Sequence, residues 1–532
     1  MATAKITART WVHDNLPQLS DWCATVWDFG ETAWREYRSA AFYVDLLRRH
    51  GFEVEAGSAG MPTAFCATWE NGKGPTIGGY AEYDGVPGNC QAADVSKRPR
   101  SGLSPHAGGH TDPHSALGIA ALGGFLAAKA AMEKHGIKGR LKFFGEPAEK
   151  TRGSKPIHAA RGYYDDLDAA ISFHPFFALP YCNTVRWDTH AGAGYGVLYS
   201  FTCDAPETWM ATNNVSAVPG YHAGSRAPGA NDAVIAMYGF GKALKDSLQP
   251  SGSAWTMNEA ILTMGQATAD NLPASLAQIM YFIRVPTIGM AEHMVRGLDH
   301  YAESAARVAH CGWRRSWIAK SRPGLANHAM ARATYANLEA VGAPRFEGEA
   351  IRLAQALQRN LGLEPMARPF LPVIEELMHP EEAERIERRR LPPSQEHAGS
   401  DDYTEYCWHA PTARLMVGRP LLAPPHPGHA YPSWVVNALG GLPPCIDPMT
   451  AVAAQTIGMT IVDLLAEPRL LAAARQEFVT RTGGGVGGTN WIAPLCDYPP
   501  PIHLRWPEYV ETPRGRREWV IPATPEDDAA PP

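Results

Sequence analysis

"RLKFFGEPAEK", residues 140–150, carries the fold assignment. An apolar run of strand length ends at Gly145 and Pro147 and delivers Glu149 and Lys150 onto a loop, "TRGSK". Around it, "TIGGYAEYD" (76–84) and "DAAISFHP" (168–175) read as buried strands. Between them, "HSALGIAALGGFLAAKAAMEKHG" (114–136) reads as a small-residue helix closed by a glycine. Upstream, "TAWREYRSAAFYVDLLRRHGF" (32–52) has apolar residues at helical spacing, with Gly51 after the last turn. Strands alternating with helices predict an α/β layer fold with a mostly parallel central sheet.

Composition sets the limits. A chain of 532 residues, 45% hydrophobic and 19% charged, holds more than one domain or a large domain with an insertion. A net charge of −6 gives no reason to expect nucleic acid as a partner. Nine cysteines without a C-x-x-C pair predict reduced thiols and a cytoplasmic protein. No signal-peptide pattern opens the chain, and no run of about 18 apolar residues is expected to span a membrane.

In open α/β sheets, ligands sit beyond the carboxyl ends of the strands. Asp84, Glu149 and His174 fall where three such strands end. Asp112 and His114 flank one proline at the entrance of the small-residue helix, which holds the two side chains in a defined relation. Carboxylate and imidazole suit zinc, manganese or cobalt.

The chain resembles the co-catalytic metallopeptidase family, which includes carboxypeptidases, aminoacylases and auxin-conjugate amidohydrolases, and within it the aminobenzoyl-glutamate hydrolase branch. The resemblance covers roughly residues 10–485. It rests on "FGETAWREYRS", "GGYAEYDGVPG", "HTDPHSALG", "GEPAEKTRGSK", "YYDDLDAAISFHP", "EHAGSDDYTEYCWHAPTA", "PGHAYPSW" and "LLAAARQEFVTRTGG", in the family's order. It implies Asp112, His114 and His174 as metal ligands and Glu149 as general base. Lys150 falls on the position of a second-metal carboxylate. The resemblance therefore implies one divalent metal per subunit, with Lys150 supplying part of the missing charge. His429, in "PGHAYPSW", matches a late histidine of the altered site and is expected to face substrate, with Asn271 and Arg284. His222 matches a transition-state donor on the second domain. A second registration places "HAGGH" (106–110) on the ligand motif instead of "DPH".

The same likeness implies four segments. Residues 1–190 and 326–480 form the catalytic domain, 191–325 an inserted βαββαβ lid and dimerisation domain, and 481–532 a Pro-rich extension, surface-hugging or partly disordered. The implied function is metal-dependent hydrolysis of an amide C–N bond in a small aromatic or N-acyl amino acid-type substrate, by a homodimer or higher oligomer. Two alternatives stand beside it: an aromatic aminohydrolase that displaces an aryl amine with water, and a non-catalytic partner subunit.

Overall fold

The computed structural model describes residues 2–204, 227–248, 255–265, 273–511 and 517–520. Its larger sheet has seven strands, in the order β1 (Glu53–Ala56), β2 (Phe65–Glu70), β4 (Arg140–Gly145), β3 (Thr76–Ala81), β5 (Ala169–Phe176), β11 (Thr412–Gly418) and β6 (Thr184–Val185). The inner four, β4, β3, β5 and β11, run parallel; the pairings of β1, β2 and β6 are antiparallel. Every residue of β3 and β11 is buried. That is the pattern of strands covered by helices on both faces.

The small-residue helix, His114–His135, ends at Gly136 in the left-handed region (φ 65°). Its glycines are a packing requirement. A Cβ on Gly118 would come within 2.3 Å of the Tyr43 hydroxyl, and one on Gly124 within 2.6 Å of Ile457. The helix therefore lies directly against the helices Ala2–Phe29 and Pro443–Ala466. Two helices of this core are long and apolar enough, by composition alone, to cross a bilayer. His114–His135 and Pro443–Ala466 both reach a mean hydropathy of 1.5, but 89% and 83% of those windows are buried inside the fold. A helix that is apolar all round serves a core as well as a membrane.

The helix expected from Thr32 starts only at Tyr37. Trp34 takes a left-handed φ of 67°, which interrupts a helix. Glu31 then accepts from the N–H groups of Arg38 and Ser39, both at 2.9 Å, and so satisfies two of the helix's first free donors.

A second, four-stranded antiparallel sheet has the order β10 (Gly312–Ser321), β7 (Ala193–Thr202), β9 (Leu276–Val285), β8 (Thr256–Met264). With the helices Ala230–Leu248 and Ile288–Ala309, its order along the chain is βαββαβ. Alternation along β7 sends Tyr195, Val197, Tyr199 and Phe201 into the core under these helices. Leu198 goes to the opposite face, where it joins Trp34, Ala148 and Ile157 of the larger unit.

Residues 483–508 run across both units. Lys320 N–H on β10 donates to the Tyr498 hydroxyl (2.8 Å), and Arg35 donates to the carbonyls of Ile502 (3.2 Å) and Leu504 (3.1 Å). Leu504 and Trp506 complete the apolar cluster around Trp34. A short hairpin, β12 (Glu508–Glu511) and β13 (Arg517–Val520), follows.

Candidate active site

The loop after β4 is held under strain. Glu149–Thr151 form one tight 3-10 turn between Ala148 and Arg152, and both flanking residues are left-handed (φ 57°). Such conformations cost about 1 kcal/mol or more each and persist where the surroundings impose them. Here Ala148 N–H donates to the fully buried Glu36 (2.7 Å). A Cβ on Gly153 would lie 2.2 Å from the Trp34 ring, so only glycine fits there. Lys150 N–H donates to Asp84 Oδ2 (2.8 Å), which ties this turn to the end of β3.

Asp84 also accepts from His114 Nδ1 at 2.7 Å. The carboxylate fixes the ring's tautomer and leaves Nε2 as an acceptor facing the cluster, the pairing by which proteins orient metal-binding histidines. Around Nε2 lie Lys150 Nζ at 2.9 Å, Glu82 Oε2 and Glu149 Oε2 at 3.4 Å each, and Asp112 Oδ2 at 3.8 Å. His174 Nε2, on β5, is 3.2 Å from the same Asp112 oxygen. Lys150 Nζ donates to Asp112 Oδ2 at 3.1 Å and lies 3.5 Å from Glu149 Oε2. Among the described residues, three groups bring ligand atoms close enough for one ion: Glu82, His114 and His174; Asp84, His114 and Glu149; Glu82, Glu149 and Asp402.

Charge explains the titration behaviour. Burial works against the Lys150 ammonium, but Asp112, Glu149 and Asp84 outweigh it and hold its pKa above the ordinary lysine range. Burial raises the Asp112 and Glu149 carboxyls, yet Lys150 and His174 hold Asp112 well below its usual range. Arg152 and Lys150 do the same for Glu149. Arg152 is ion-paired to Glu149 Oε1 and donates to its carbonyl at 2.7 Å. Deeper in, the fully buried Lys155 bridges Glu82 and Asp402, at 2.7 Å to each. The other oxygens of those two carboxylates, Glu82 Oε2 and Asp402 Oδ2, are buried with no hydrogen-bond donor. Spare buried acceptors beside two imidazoles suit a divalent cation.

The cluster opens into a cavity of about 280 Å³, lined in part by Asp112, Glu149, Lys150, His174, Phe176 and Arg284. A larger cleft of about 900 Å³ lies at the hinge between the two units, along Pro286–Gly289 and Pro323–Ala326. The smaller cavity is the candidate site, because the perturbed carboxylates and the imidazoles meet there.

Asp112, His114, Glu149, Lys150 and His174 are thus brought together, and Arg284 lines the same cavity. His222 and Asn271 lie outside the described residues. His429 is not brought in: its ring packs against His426 and Tyr431, and it is not among the residues lining the cavity. Its loop is anchored elsewhere, with Tyr431 donating to Ala423 O (3.2 Å) and accepting from Gln358 (3.0 Å). The alternative histidine, His110, is buried against Val26 O (3.2 Å), and burial pushes its pKa down to about 3. Sequence reasoning missed Glu82, Arg152, Lys155, Asp401 and Asp402. The signal available was a charged residue directly beside a buried strand or an invading loop, as in "YAEYD" and "GSDD".

No protein-family model matches the chain. It is 27% identical over 337 residues to one subunit of the p-aminobenzoyl-glutamate hydrolase of Escherichia coli; the match spans 63% of this chain and 65% of that protein, just under two thirds of its length. It is 24% identical over 349 residues to indole-3-acetyl-aspartic acid hydrolase of Enterobacter agglomerans, spanning 56% of this chain and 72% of that one. A thermostable carboxypeptidase of Saccharolobus solfataricus matches over 169 residues at 28% identity, 30% of this chain and 41% of that one. Among solved structures, the aminobenzoyl-glutamate utilization protein of Klebsiella pneumoniae superimposes with a TM-score of 0.52 at 14% identity, over 86% of this chain and 98% of that one, a likeness of fold. The chain is a homologue of these carboxypeptidases and amino-acid-conjugate hydrolases.

Proposed function

We propose that this chain is a metal-dependent hydrolase that cleaves the amide C–N bond of a small, aromatic or N-acyl amino acid-type substrate. The observation that carries the reading is His114, set by Asp84 so that Nε2 faces Asp112, Glu149 and Lys150 at the carboxyl ends of β3, β4 and β5. Asp112, His114 and His174 would hold one divalent ion, with manganese, zinc or cobalt compatible with the oxygen and nitrogen donors. Such an ion supplies a polarised substrate and a water acidified toward neutral pH.

The chain's own groups do the rest. Glu149 takes the proton from water at Oε2 and passes it to the leaving nitrogen. Arg152 holds the other carboxylate oxygen. Lys150 supplies a fixed positive charge beside the developing oxyanion. His222, from the lid, is a further donor in this reading, and Asn271 and Arg284 contact substrate. Dimerisation runs through the lid. Its edge strand β8 exposes Ile261 and Met264, and an unpaired apolar edge favours pairing with a second copy.

The test is a metal-loaded, purified chain assayed on matched aryl amides of amino acids and aryl amines. Release of the amino acid is expected. Release of ammonia from the aryl amines alone would replace this reading with amine displacement. A chain that binds metal and turns over neither class would be a partner subunit.

A further inference from the structure

The wall of the cavity formed by β11 and β6 holds an unmatched positive charge. Arg186 N–H, just past β6, donates to Arg414 O (3.0 Å), so the two arginines face each other across paired strands. Residues opposite in a ladder share one face of the sheet. Like charges placed so repel, and each lowers the other's tendency to stay charged unless anions are near. One anion is near: Asp401 pairs with Arg414, which also donates to Tyr80 (2.9 Å) and Ser172 (2.6 Å). Arg186 has no such partner. Its Nη1 donates to the Thr189 carbonyl (3.1 Å), and its guanidinium lies 4.0 Å above the centre of the Tyr181 ring. Its Nε is buried without an acceptor, and among the described residues no carboxylate pairs with it. Over the whole cavity, five cationic side chains stand against three carboxylates.

We infer that Arg186 binds a carboxylate of the substrate, and so selects an aromatic acid as the class on which this site works. The inference rests on the proposed hydrolase reading and names its substrate. Geometry sets the size. Met416 is registered beside His174, and Arg414 beside Ser172, two residues back along β5. Arg186 is one strand further out. Strand rise and spacing then put the Cα atoms of His174 and Arg186 about 12 Å apart. An arginine side chain shortens that gap to roughly the span of one substituted ring. Phe176 and Met416, both lining the cavity between these ends, offer the apolar surface such a ring needs. Arg284 is the weaker choice for the carboxylate. It stacks on Phe282 (4.7 Å), and burial together with Arg152 lowers its pKa to about 10.

The test is calorimetric binding of 4-nitrobenzoate and of its neutral analogue, 4-nitrobenzamide, to the metal-loaded full chain. The wild type should prefer the benzoate by at least about tenfold, the scale of a charge-assisted contact. Arg186→Met should remove that preference without weakening benzamide, and Arg186→Lys, which keeps the charge, should restore part of it. Benzoate preference that survives Arg186→Met, or that vanishes only in Arg284→Met, overturns the assignment. So does a wild type that binds benzoate no better than benzamide at millimolar concentration. Selective benzoate binding by a chain that hydrolyses no aryl amide would uphold Arg186 and sink the amidohydrolase reading, so the two failures are distinguishable.

Discussion

The two ends of the cavity have opposite charge balances. Around His114, the carboxylates of Glu82, Asp84, Asp112, Glu149 and Asp402 outnumber Lys150, Arg152, Lys155 and Arg419, and two buried oxygens go without donors. Along β11 and β6, two arginines stand beside a single carboxylate, Asp401, which pairs with Arg414 and leaves Arg186 over. The inner end is short of a cation and the outer wall is short of an anion. A metal ion at one end and a substrate carboxylate at the other would balance both. The difference also shows how Lys150 fits. Its ammonium sits on Asp112 and His114, in the carboxylate-rich half, where it relieves part of the deficit.

The changes that should break or sharpen this contrast differ in size. Glu149→Gln keeps shape but cannot accept a proton. We expect kcat to fall at least ~10²-fold with metal content unchanged, and near-normal turnover would remove Glu149 from its role. Asp84→Asn should weaken metal binding by about 10–100-fold, the usual effect of losing the group that orients a ligating histidine. Competition with a chelator measures it, and unchanged affinity would mean that His114 does not ligate. Asp401→Asn frees Arg414 and should tighten 4-nitrobenzoate binding by about threefold, the size of a partly screened charge contact. Weaker binding would show that Asp401 organises the wall rather than neutralising it. Lys150→Glu should raise metal content from about one ion per subunit toward about two, as a three-ligand site gains a carboxylate; two ions already present in the wild type would show that Lys150 replaces none. Trp506→Ala touches neither end. It should lower Tm by roughly 5 °C through lost burial while metal content and benzoate preference stay as they were. Loss of either would mean that the tail helps to shape the site.

The tail itself shows where sequence reading stops. Its glycines and prolines mark the exit from regular helix after Thr482, and the segment reads as an extension without a role. In the fold, Leu504 and Trp506 close an apolar cluster with Trp34 and Ala148, the residue before Glu149. Nothing local to "PIHLRW" announces this, because these partners lie far away along the chain. The small-residue helix is a milder case. Its glycines are visible, but their reason, contact with Tyr43 and Ile457, belongs to the packing.

By itself the sequence determined the alternation of strands and helices, the residues that end each inner strand, and with them the convergence of Asp84, Glu149 and His174. These follow from periodicity and from chain breaks, which act over a few residues. Tertiary structure alone decided how the charges pair: Asp84 with His114, Lys155 between Glu82 and Asp402, Arg186 left over beside Arg414. Electrostatic partners depend on distance and burial, and the strand order β5–β11–β6 brings Ser172 and Arg414, 242 positions apart, into hydrogen-bond contact. It also decided that His429 packs within its own loop, because the side chains that anchor a loop come from elements no local pattern identifies.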